Sequence, residues 1–399
     1  MYLDDQMFIA SKSSPNFGKH LCKSGKLRVS DFKLQSSLCR VLPKIITMIP
    51  SQITATPKLF IGMDVHKKSW TVHIKTDLFD YKTIGMPPSP ESLVGYVQKH
   101  LPGHEVTCCY EAGCCGYWIA RNLQQHGWDV KVVNPADVPR TSKQNWQKTD
   151  KIDCRELSKH LQAGNVKGIH IPGEEQEQLR SLFRRRVHLV RQLRTVKNHI
   201  KSQLLYYGVI IPDQYDNANW SGEMKRWIES ISWKFSTCLT VTNSRLKQLN
   251  FLWSEMLQVS NELRAYCRKH FRKDYYLYKS VPGIGGITAA AIISELGDLR
   301  RFSTLDELAS IVGLVPGLYE SSDKSQCLGL TKRSNRQLRS LLVESSWIAV
   351  GKDMALQQYY RKHAHKEPNK AIIKVAHKLL SRIRAVIITG IPYQYALVK

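Results

Sequence analysis

The sequence predicts an α/β domain followed by helical domains, and three observations lead to this prediction. Candidate strands alternate with candidate helices over residues 58–165, which is the pattern of an α/β domain. A long helix with apolar residues at heptad spacing follows at 174–207. Residues 276–399 then contain a glycine turn and several apolar helical segments. We therefore expect an α/β plus α protein.

The first 57 residues differ from the rest of the chain. They are rich in Ser and Lys and show no sustained hydrophobic period. We expect residues 1–57 to be a basic disordered arm or an extension that is not native to the protein, with Met48 as an alternative start.

The predicted α/β domain covers residues 58–165. The segment "KLFIGMDVHKKSWTVHIKTD" predicts two strands joined by a short turn, because Val72 and Ile74 alternate with polar residues. Further strands are predicted in "HEVTCCYEAG", which ends near Glu111, and in "WDVKVVNP". Helices are predicted in "GYWIARNLQQHG", closed by Gly127, and in "TDKIDCRELSKHLQAG".

Residues 166–275 are predicted to form a coiled-coil and helical linker. The helix at 174–207 has acidic residues at its start and basic residues after them, which suits the helix dipole. A second helix-like stretch covers 215–270. Two heptad series with two polar interruptions run along the first helix: Leu182, Leu189, Val196 and Gln203, and Leu179, Arg186, Leu193, Ile200 and Tyr207.

Residues 276–399 are predicted to form a helical domain. "SVPGIGGITAAAIISELG" predicts a tight glycine turn that resembles a helix-hairpin-helix turn and leads into an apolar helix. Further helices are predicted in "TLDELASIVG", "SNRQLRSLLVESSWIAV" and "NKAIIKVAHKLLSRIRAVI", with a loop at 315–331.

The chain is strongly basic. It has 59 Lys and Arg against 33 Asp and Glu, a formal net charge of +26. Such a surplus favours a polyanionic partner, with nucleic acid as the first candidate and an anionic membrane surface as the second. No apolar run approaches the ~18–20 residues of a membrane-spanning helix. Residues 1–30 also lack the apolar core of a signal peptide.

Four of the ten cysteines lie in two adjacent doublets. The doublets, Cys108 with Cys109 and Cys114 with Cys115, suit neither a tetrahedral zinc site nor a disulfide framework. We expect reduced and mostly buried thiols.

Four carboxylates are candidates for a metal site. Asp64 and Glu111 each end a predicted strand, and strand ends converge at one edge of an α/β sheet. Asp150 and Asp153 are three residues apart at a predicted helix start, which places them on one face, roughly 5–6 Å apart at Cβ. Mg²⁺ or Mn²⁺ accepts oxygen ligands of this kind.

Two such ions, ~4 Å apart, would clamp the attacking and leaving oxygens of a phosphoryl transfer. The alternative is that nearby basic residues neutralise these acids, and spacing alone favours neither. The basic candidates are Lys67, Lys148, Lys151 and Arg155.

Two further groups are candidates for nucleic-acid contacts. Gly283 and Gly285 in "PGIGG" precede a helix, where backbone N–H groups can approach a phosphate closely. For the two glycines the alternative is an ordinary turn, and for the basic residues that follow them in the chain it is a solvated basic face. A phosphate track is predicted downstream from Lys332, Arg333, Arg336 and Arg339.

The serines in "GLYESSDKS" are usual turn residues. Because no histidine stands upstream in an obvious partner pattern, a hydrolase triad is unsupported.

Several of these motifs together resemble the transposases of the insertion-sequence 110 family. "FIGMDVHKKSW", "YEAGCCGYW" and "KTDKIDCREL" are similar, in order, to the Asp, Glu and paired-Asp motifs of that family. "VPGIGGITAAAIISELGDLRRFSTLDELASIVGLVPGLYESSDKS" and "LGLTKRSNRQLRSLLVESSW" resemble its C-terminal domain. The likeness covers residues 58 to about 395 in the right order.

The resemblance implies a RuvC-like, ribonuclease-H-type domain with Asp64, Glu111, Asp150 and Asp153 at a Mg²⁺ (or Mn²⁺) site. It implies a helical C-terminal domain that supplies a serine nucleophile, and a coiled coil that assembles homodimers or homotetramers. Members of the family are DNA recombinases that join donor and target DNA, and some use a structured bridge RNA as a guide.

The serine loop departs from the family pattern. The family has Ser-Ser-Gly or Ser-Gly, whereas this chain reads "ESSD". Aligned from Pro316 to Lys324, Ser321 falls at the nucleophile and Ser322 replaces the glycine. The replacement could tighten the loop or reduce activity.

We therefore predict a DNA transposase or recombinase that works through a 5′-phosphoserine link, in the cytoplasm of a bacterial or archaeal cell and near its nucleoid. One alternative is a metal-dependent nuclease or junction resolvase in which the serine is incidental. Another is a nucleic-acid-binding protein with a decayed catalytic site.

Overall fold

In the computed structural model the chain divides into two compact units, Met1–Ile169 and His170–Lys399. The predicted α/β domain lies in the first unit, and the two predicted C-terminal segments lie almost entirely in the second. The predicted arm at 1–57 falls outside the described residues except for its last two positions. The described residues are 56–139, 149–216, 220–321, 324–365 and 367–395.

The first unit is built on a five-stranded mixed sheet. Its strands are β1 (Lys58–Val65), β2 (Trp70–Thr76), β3 (Asp80–Met86), β4 (Glu105–Glu111) and β5 (Asp129–Val133). They lie in the order β3-β2-β1-β4-β5. β2 runs antiparallel to β1 and β3, whereas β4 runs parallel to β1 and β5. The sheet confirms the predicted α/β class and is consistent with a RuvC-like domain.

Strand β3 and helix α1 (Pro90–His100) are not predicted from the sequence pattern. β3 is an edge strand without a fully buried residue, so it lacks the apolar alternation of a half-buried strand. Its ladder to β2 is what holds it in place. Helix α1 does carry a local start signal, since the Ser89 hydroxyl accepts a hydrogen bond from the backbone N–H of Ser92 and Pro90 is its first residue.

Two further helices of the first unit match the predictions. Helix α2 is Trp118–Gln125, and helix α3 is Asp150–Gln162. Helix α3 packs across β1 and β2. The close approach depends on Gly62, because a Cβ atom there would lie 2.1 Å from the carbonyl oxygen of Cys154.

The second unit begins with a long helical hairpin. It contains α4 (Glu174–Tyr206), α5 (Gly222–Glu229) and α6 (Ser236–His270). The predicted helix at 174–207 is thus confirmed to within one residue. α4 and α6 run antiparallel, because Gln203 contacts Thr242 near one end while Glu175 contacts Tyr266 near the other.

The heptad series of α4 is buried within this same chain. Leu189, Leu193, Val196 and Ile200 pack in one core with Leu246 and Leu249 of α6, whereas Tyr207 is exposed. The predicted coiled-coil seam therefore has a partner helix in its own chain, and its use in assembling copies stays a prediction.

The rest of the second unit packs around a central apolar helix. The helices are α7 (Arg272–Ser280), α8 (Gly286–Leu296), α9 (Leu305–Val312), α10 (Arg336–Lys352), α11 (Met354–Ala364) and α12 (Pro368–Thr389). Every residue of α8 from Thr288 to Leu296 is buried, and most of these residues are apolar.

The predicted loop at 315–331 is wrong. The chain forms a β-hairpin there, with β6 (Pro316–Ser321) antiparallel to β7 (Lys324–Leu330). The serines and Asp323 suggest a turn in the sequence, but the backbone of the flanking residues pairs across two strands, with Leu318 opposite Cys327. Among the described residues, no helix is long and apolar enough to cross a membrane.

Candidate metal centre and nucleic-acid contacts

Asp64 and Glu111 stand side by side at one edge of the sheet. Asp64 is the next-to-last residue of β1, and Glu111 is the last residue of β4. The parallel register pairs Met63 with Tyr110, so the two acids occupy the next position of the neighbouring strands. Adjacent parallel strands present matched positions on the same face. The ends of these two strands therefore lie at the same edge of the sheet, and the role of the two acids as metal ligands stays a prediction.

Helix α3 brings Asp150 and Asp153 to this edge. Both residues lie in its first turn, and the Thr149 hydroxyl caps the helix by accepting a hydrogen bond from the backbone N–H of Ile152. Carboxylates are favoured at a helix N-terminus because of the helix dipole. The close packing at Gly62 fixes the distance between this turn and β1.

His66 lies between two of the acids. Its Nε2 atom is 3.1 Å from Asp64 Oδ2 and 4.0 Å from Asp150 Oδ2. One ligand atom from each of Asp64, His66 and Asp150 lies within 4.8 Å of the others. Glu111 and Asp153 stand beside this group but are not part of it. The sequence-based prediction missed His66, although its position two residues after Asp64 is a usable signal.

The charge on Asp64 is costly in its surroundings. Burial raises the pKa of Asp64, the nearby His66 lowers it, and Asp150 and Asp153 raise it further. Among the described residues, no Lys or Arg forms an ion pair with Asp64 or Asp150. Lys148, one of the basic candidates, lies outside the described residues. Asp64 and Asp150 are thus not neutralised by the lysines and arginines that this part of the structure describes.

A divalent cation fits this donor set. Carboxylate oxygens are the ligands that Mg²⁺ and Mn²⁺ prefer, and a cation would offset the repulsion between Asp64 and Asp150. An imidazole nitrogen suits softer metals better. His66 therefore fits best as the hydrogen-bond partner that orients Asp64 beside the cation.

Buried thiols join helix α3 to the sheet beneath the centre. Cys154 Sγ donates to the carbonyl oxygen of Thr71 at 2.9 Å, and Cys109 Sγ donates to that of Leu157 at 3.7 Å. Burial raises the pKa of Cys109 to about 12, so this thiol stays neutral and unreactive. The seven cysteines whose side chains the structure describes are free, and four of them are buried: Cys108, Cys109, Cys154 and Cys267.

Ser321 is the last residue of β6, and it pairs in register with Lys324 of β7. Ser322, at the position of the family's glycine, lies outside the described residues. The candidate nucleophile therefore belongs to a hairpin of the second unit, and the acids belong to the first.

The two glycines of the predicted phosphate turn have different surroundings. Gly283 has φ +81°, and a Cβ atom there would lie 2.1 Å from the carbonyl oxygen of Ser345 in α10. The close packing of Gly283 against α10 therefore explains why this position requires glycine. Gly285 is the N-cap of α8 and has nothing within 4 Å of an added Cβ. Gly285 thus keeps the open approach that a phosphate contact requires.

The four basic residues that are predicted to form a phosphate track differ in their exposure. Lys332, Arg333 and Arg336 are exposed. Arg339 is half-buried, and its Nη1 donates to the carbonyl oxygens of Gly313 and Thr331 at 3.2 and 3.1 Å. These two hydrogen bonds give Arg339 a structural role. The other three residues remain candidates for phosphate contacts.

Two family models match the chain. A transposase model of the DEDD type of IS110 matches residues 61–208, and the model for the transposase IS116/IS110/IS902 family matches residues 275–361. The first region contains all four acids, and the second contains the glycine turn and the serine hairpin. Together the two matches cover more than half of the chain.

The chain is similar to named proteins from several bacteria. The y4qE protein of Sinorhizobium fredii is 28% identical over 69% of this chain and 66% of its own length. The transposase for insertion sequence element IS1111A of Coxiella burnetii is 25% identical over 61% of this chain and 65% of its own. The chain thus spans slightly less than two-thirds of both. The pilin gene-inverting protein of Moraxella lacunata is 25% identical over 69% of this chain and 79% of its own length.

Proposed function

The chain belongs to the IS116/IS110/IS902 family of transposases, and we propose that it is a DNA recombinase. Its reaction is the cutting and rejoining of strands by which an insertion sequence is excised and integrated.

The acidic cluster at the sheet edge is the observation that carries this proposal. Asp64, His66 and Asp150 present ligand atoms within 4.8 Å of one another, and Glu111 follows in register on the next strand. The cluster lies in the region that the DEDD transposase model matches. A divalent cation held by such acids stabilises the charge on the attacking and leaving oxygens of a phosphoryl transfer.

Ser321 is the nucleophile in this proposal. Its hydroxyl oxygen attacks the phosphorus of a DNA strand and loses its proton. The new Oγ–P bond forms as the bond from phosphorus to the 3′ oxygen breaks, and that oxygen leaves as a 3′-hydroxyl after taking up a proton. The strand stays linked as a 5′-phosphoserine. Attack by another strand's 3′-hydroxyl reverses these steps and frees the serine, so rejoining needs no ATP.

The four acids assist this serine from the other unit. A serine hydroxyl is a weak nucleophile at its ordinary pKa and needs activation. Asp64, Glu111, Asp150 and Asp153 hold the Mg²⁺ or Mn²⁺ and position the phosphate. The two units therefore have to meet at the DNA, within one chain or between the copies of a homodimer or homotetramer.

Donor and target DNA are the substrates, and a structured bridge RNA is the proposed guide. The formal charge of +26 supports polyanionic partners of this kind. Gly285, Lys332, Arg333 and Arg336 are proposed to contact phosphates.

A plasmid recombination assay in bacteria tests the function. The DNA that flanks the gene supplies the element ends and the RNA, and new junctions are counted by sequencing. We expect junctions with the unchanged protein and a loss of about a thousandfold or more in Asp64→Asn and Ser321→Ala. Asp129→Asn, at the opposite end of a parallel strand, is the matched control and should recombine normally.

Two results would contradict the proposal. Strand cutting that persists in Ser321→Ala would identify a metal-dependent nuclease. DNA binding without any cutting by the unchanged protein would identify a binding protein with a decayed site.

A further inference from the structure

A small pocket lies on the side of the helical hairpin formed by α4 and α6. Its volume is about 360 Å³, at the lower end of the range for ligand pockets. Arg194, Lys197 and Lys201 of α4 line it together with Trp220 and with Trp253 of α6. Neither the acidic cluster nor the serine hairpin contributes to it.

Two indole rings enclose a lysine in this pocket. Lys197 Nζ lies 5.7 Å from the ring centroid of Trp220 and 5.4 Å from that of Trp253. Trp220 is buried, whereas Trp253 keeps 36% of its surface exposed. A large aromatic ring on a helix surface is available for stacking, and the cation beside it marks where negative charge would be favoured.

The pocket has more positive charge than its neighbours neutralise. Lys201 pairs with Asp216 at 2.8 Å, but Lys225, which lies 5.7 Å from the Trp253 ring, donates only to the neutral side chain of Asn250. Among the described residues, neither Arg194 nor Lys197 has a carboxylate partner.

Burial and the nearby Lys225 lower the pKa of Lys197. The charged form of this lysine is therefore disfavoured as the pocket stands, and a bound anion would relieve that cost.

We propose that this pocket binds an unpaired nucleotide of a single-stranded nucleic acid. The base stacks on Trp253, and its phosphate lies beside Arg194 and Lys197. A free phosphate has no use for the indole ring, and bases within a duplex cannot present a free face to it. The inference rests on the proposed function for its class of ligand, but it does not depend on the acidic centre.

Photocrosslinking with 12-nucleotide strands tests the pocket. One strand is oligo(U) RNA and the other oligo(dU) DNA, each with a single 5-iodouracil, and the cross-linked peptide is identified by mass spectrometry. We expect the cross-link at Trp253. Comparison of the RNA and DNA strands shows which nucleic acid the pocket favours.

Affinity for the same strands is measured in two variants of the pocket. Trp253→Leu should weaken binding roughly tenfold, the order of one lost base stack. Arg194→Gln, at an exposed position where folding is not at risk, should make the slope of log K against log salt shallower by about 0.7.

Phe251→Leu is the matched control, because Phe251 is an exposed aromatic residue of the same helix outside the pocket. It should bind as the unchanged protein does. Equal affinity in all three variants, with cross-links elsewhere, would overturn the pocket. Binding and cross-linking of these strands require no strand cutting, so a failure of the catalytic proposal leaves this result intact and the two failures can be told apart.

Discussion

Asp64 is the acid whose surroundings the structure defines most fully. Its carboxylate accepts a hydrogen bond from His66, lies near Asp150 and has a pKa raised mainly by burial. Its ionised form is thus disfavoured in the folded chain, which is unusual for a residue retained only for stability.

Asp64→Asn should therefore leave the fold as stable as before, or raise the free energy of unfolding by up to about 1 kcal/mol. The amide oxygen can still accept from His66, and the repulsion with Asp150 is gone. Urea unfolding at neutral pH measures the change, with Asp129→Asn as the exposed control. A clear loss of stability in Asp64→Asn would show that the carboxylate is structural.

At the scale of the elements, helix α3 can lie close to the sheet because Gly62 beneath it has no side chain. Gly62 lies in the central strand, and a Cβ atom there would meet the helix backbone at Cys154 and Ser158. The acids of the first turn reach the sheet edge only because the helix lies this close.

Gly62→Ala should lower the free energy of unfolding by about 1–3 kcal/mol, since backbone atoms have to move apart. It should also reduce recombination by more than the stability loss explains, because Asp150 moves away from Asp64. Gly85→Ala, in edge strand β3, is the control, since an added Cβ there meets nothing within 4 Å. Equal stability of the two variants would refute the close-packing account.

A second contact between elements depends on Glu295 of α8. Its carboxylate is buried at the end of α8, where it accepts from Arg184 of α4 at 2.9 and 3.1 Å. It also accepts from Asn335 Nδ2 at 2.8 Å, and Asn335 is the N-cap of α10. One carboxylate thus joins three helices next to the segment that follows the serine hairpin.

Glu295→Ala should cost about 2–3 kcal/mol of unfolding free energy, because charged hydrogen bonds are lost and Asn335 Nδ2 is left without this acceptor. The midpoint of urea unfolding reports the change. Glu262→Ala, which removes an exposed glutamate of α6, should shift that midpoint little. A shift of the same size in both variants would mean that the Glu295 network adds nothing.

Local pattern predicts most of these elements, and long-range contacts decide the rest. The central strands and the helices carry apolar periods that are visible in a short window of sequence. Strand β3 and the β6–β7 hairpin depend on pairing across strands, which local pattern does not encode. Gly283 and Arg339 suggest phosphate contacts by type, but the facing residues of the fold account for them.

At the scale of the whole molecule, the proposal requires the two units to act on one phosphate. The acids are in Met1–Ile169 and Ser321 is in His170–Lys399. The sequence pattern suggests the four acids as a metal site, whereas Ser321 is assigned only through the family resemblance, because a lone serine does not specify a reaction.

We propose that Ser321 becomes covalently linked to DNA with the help of the acidic centre. The substrate is a nicked DNA, so that the end released by cutting diffuses away and the protein stays linked to the other end. Mass spectrometry of the digested complex then identifies the linked residue. We expect a phosphodiester to Ser321 in the unchanged protein and none in Asp64→Asn. Attachment at Ser322 would contradict the assigned position, and cleavage without any protein–DNA bond would contradict the serine mechanism itself.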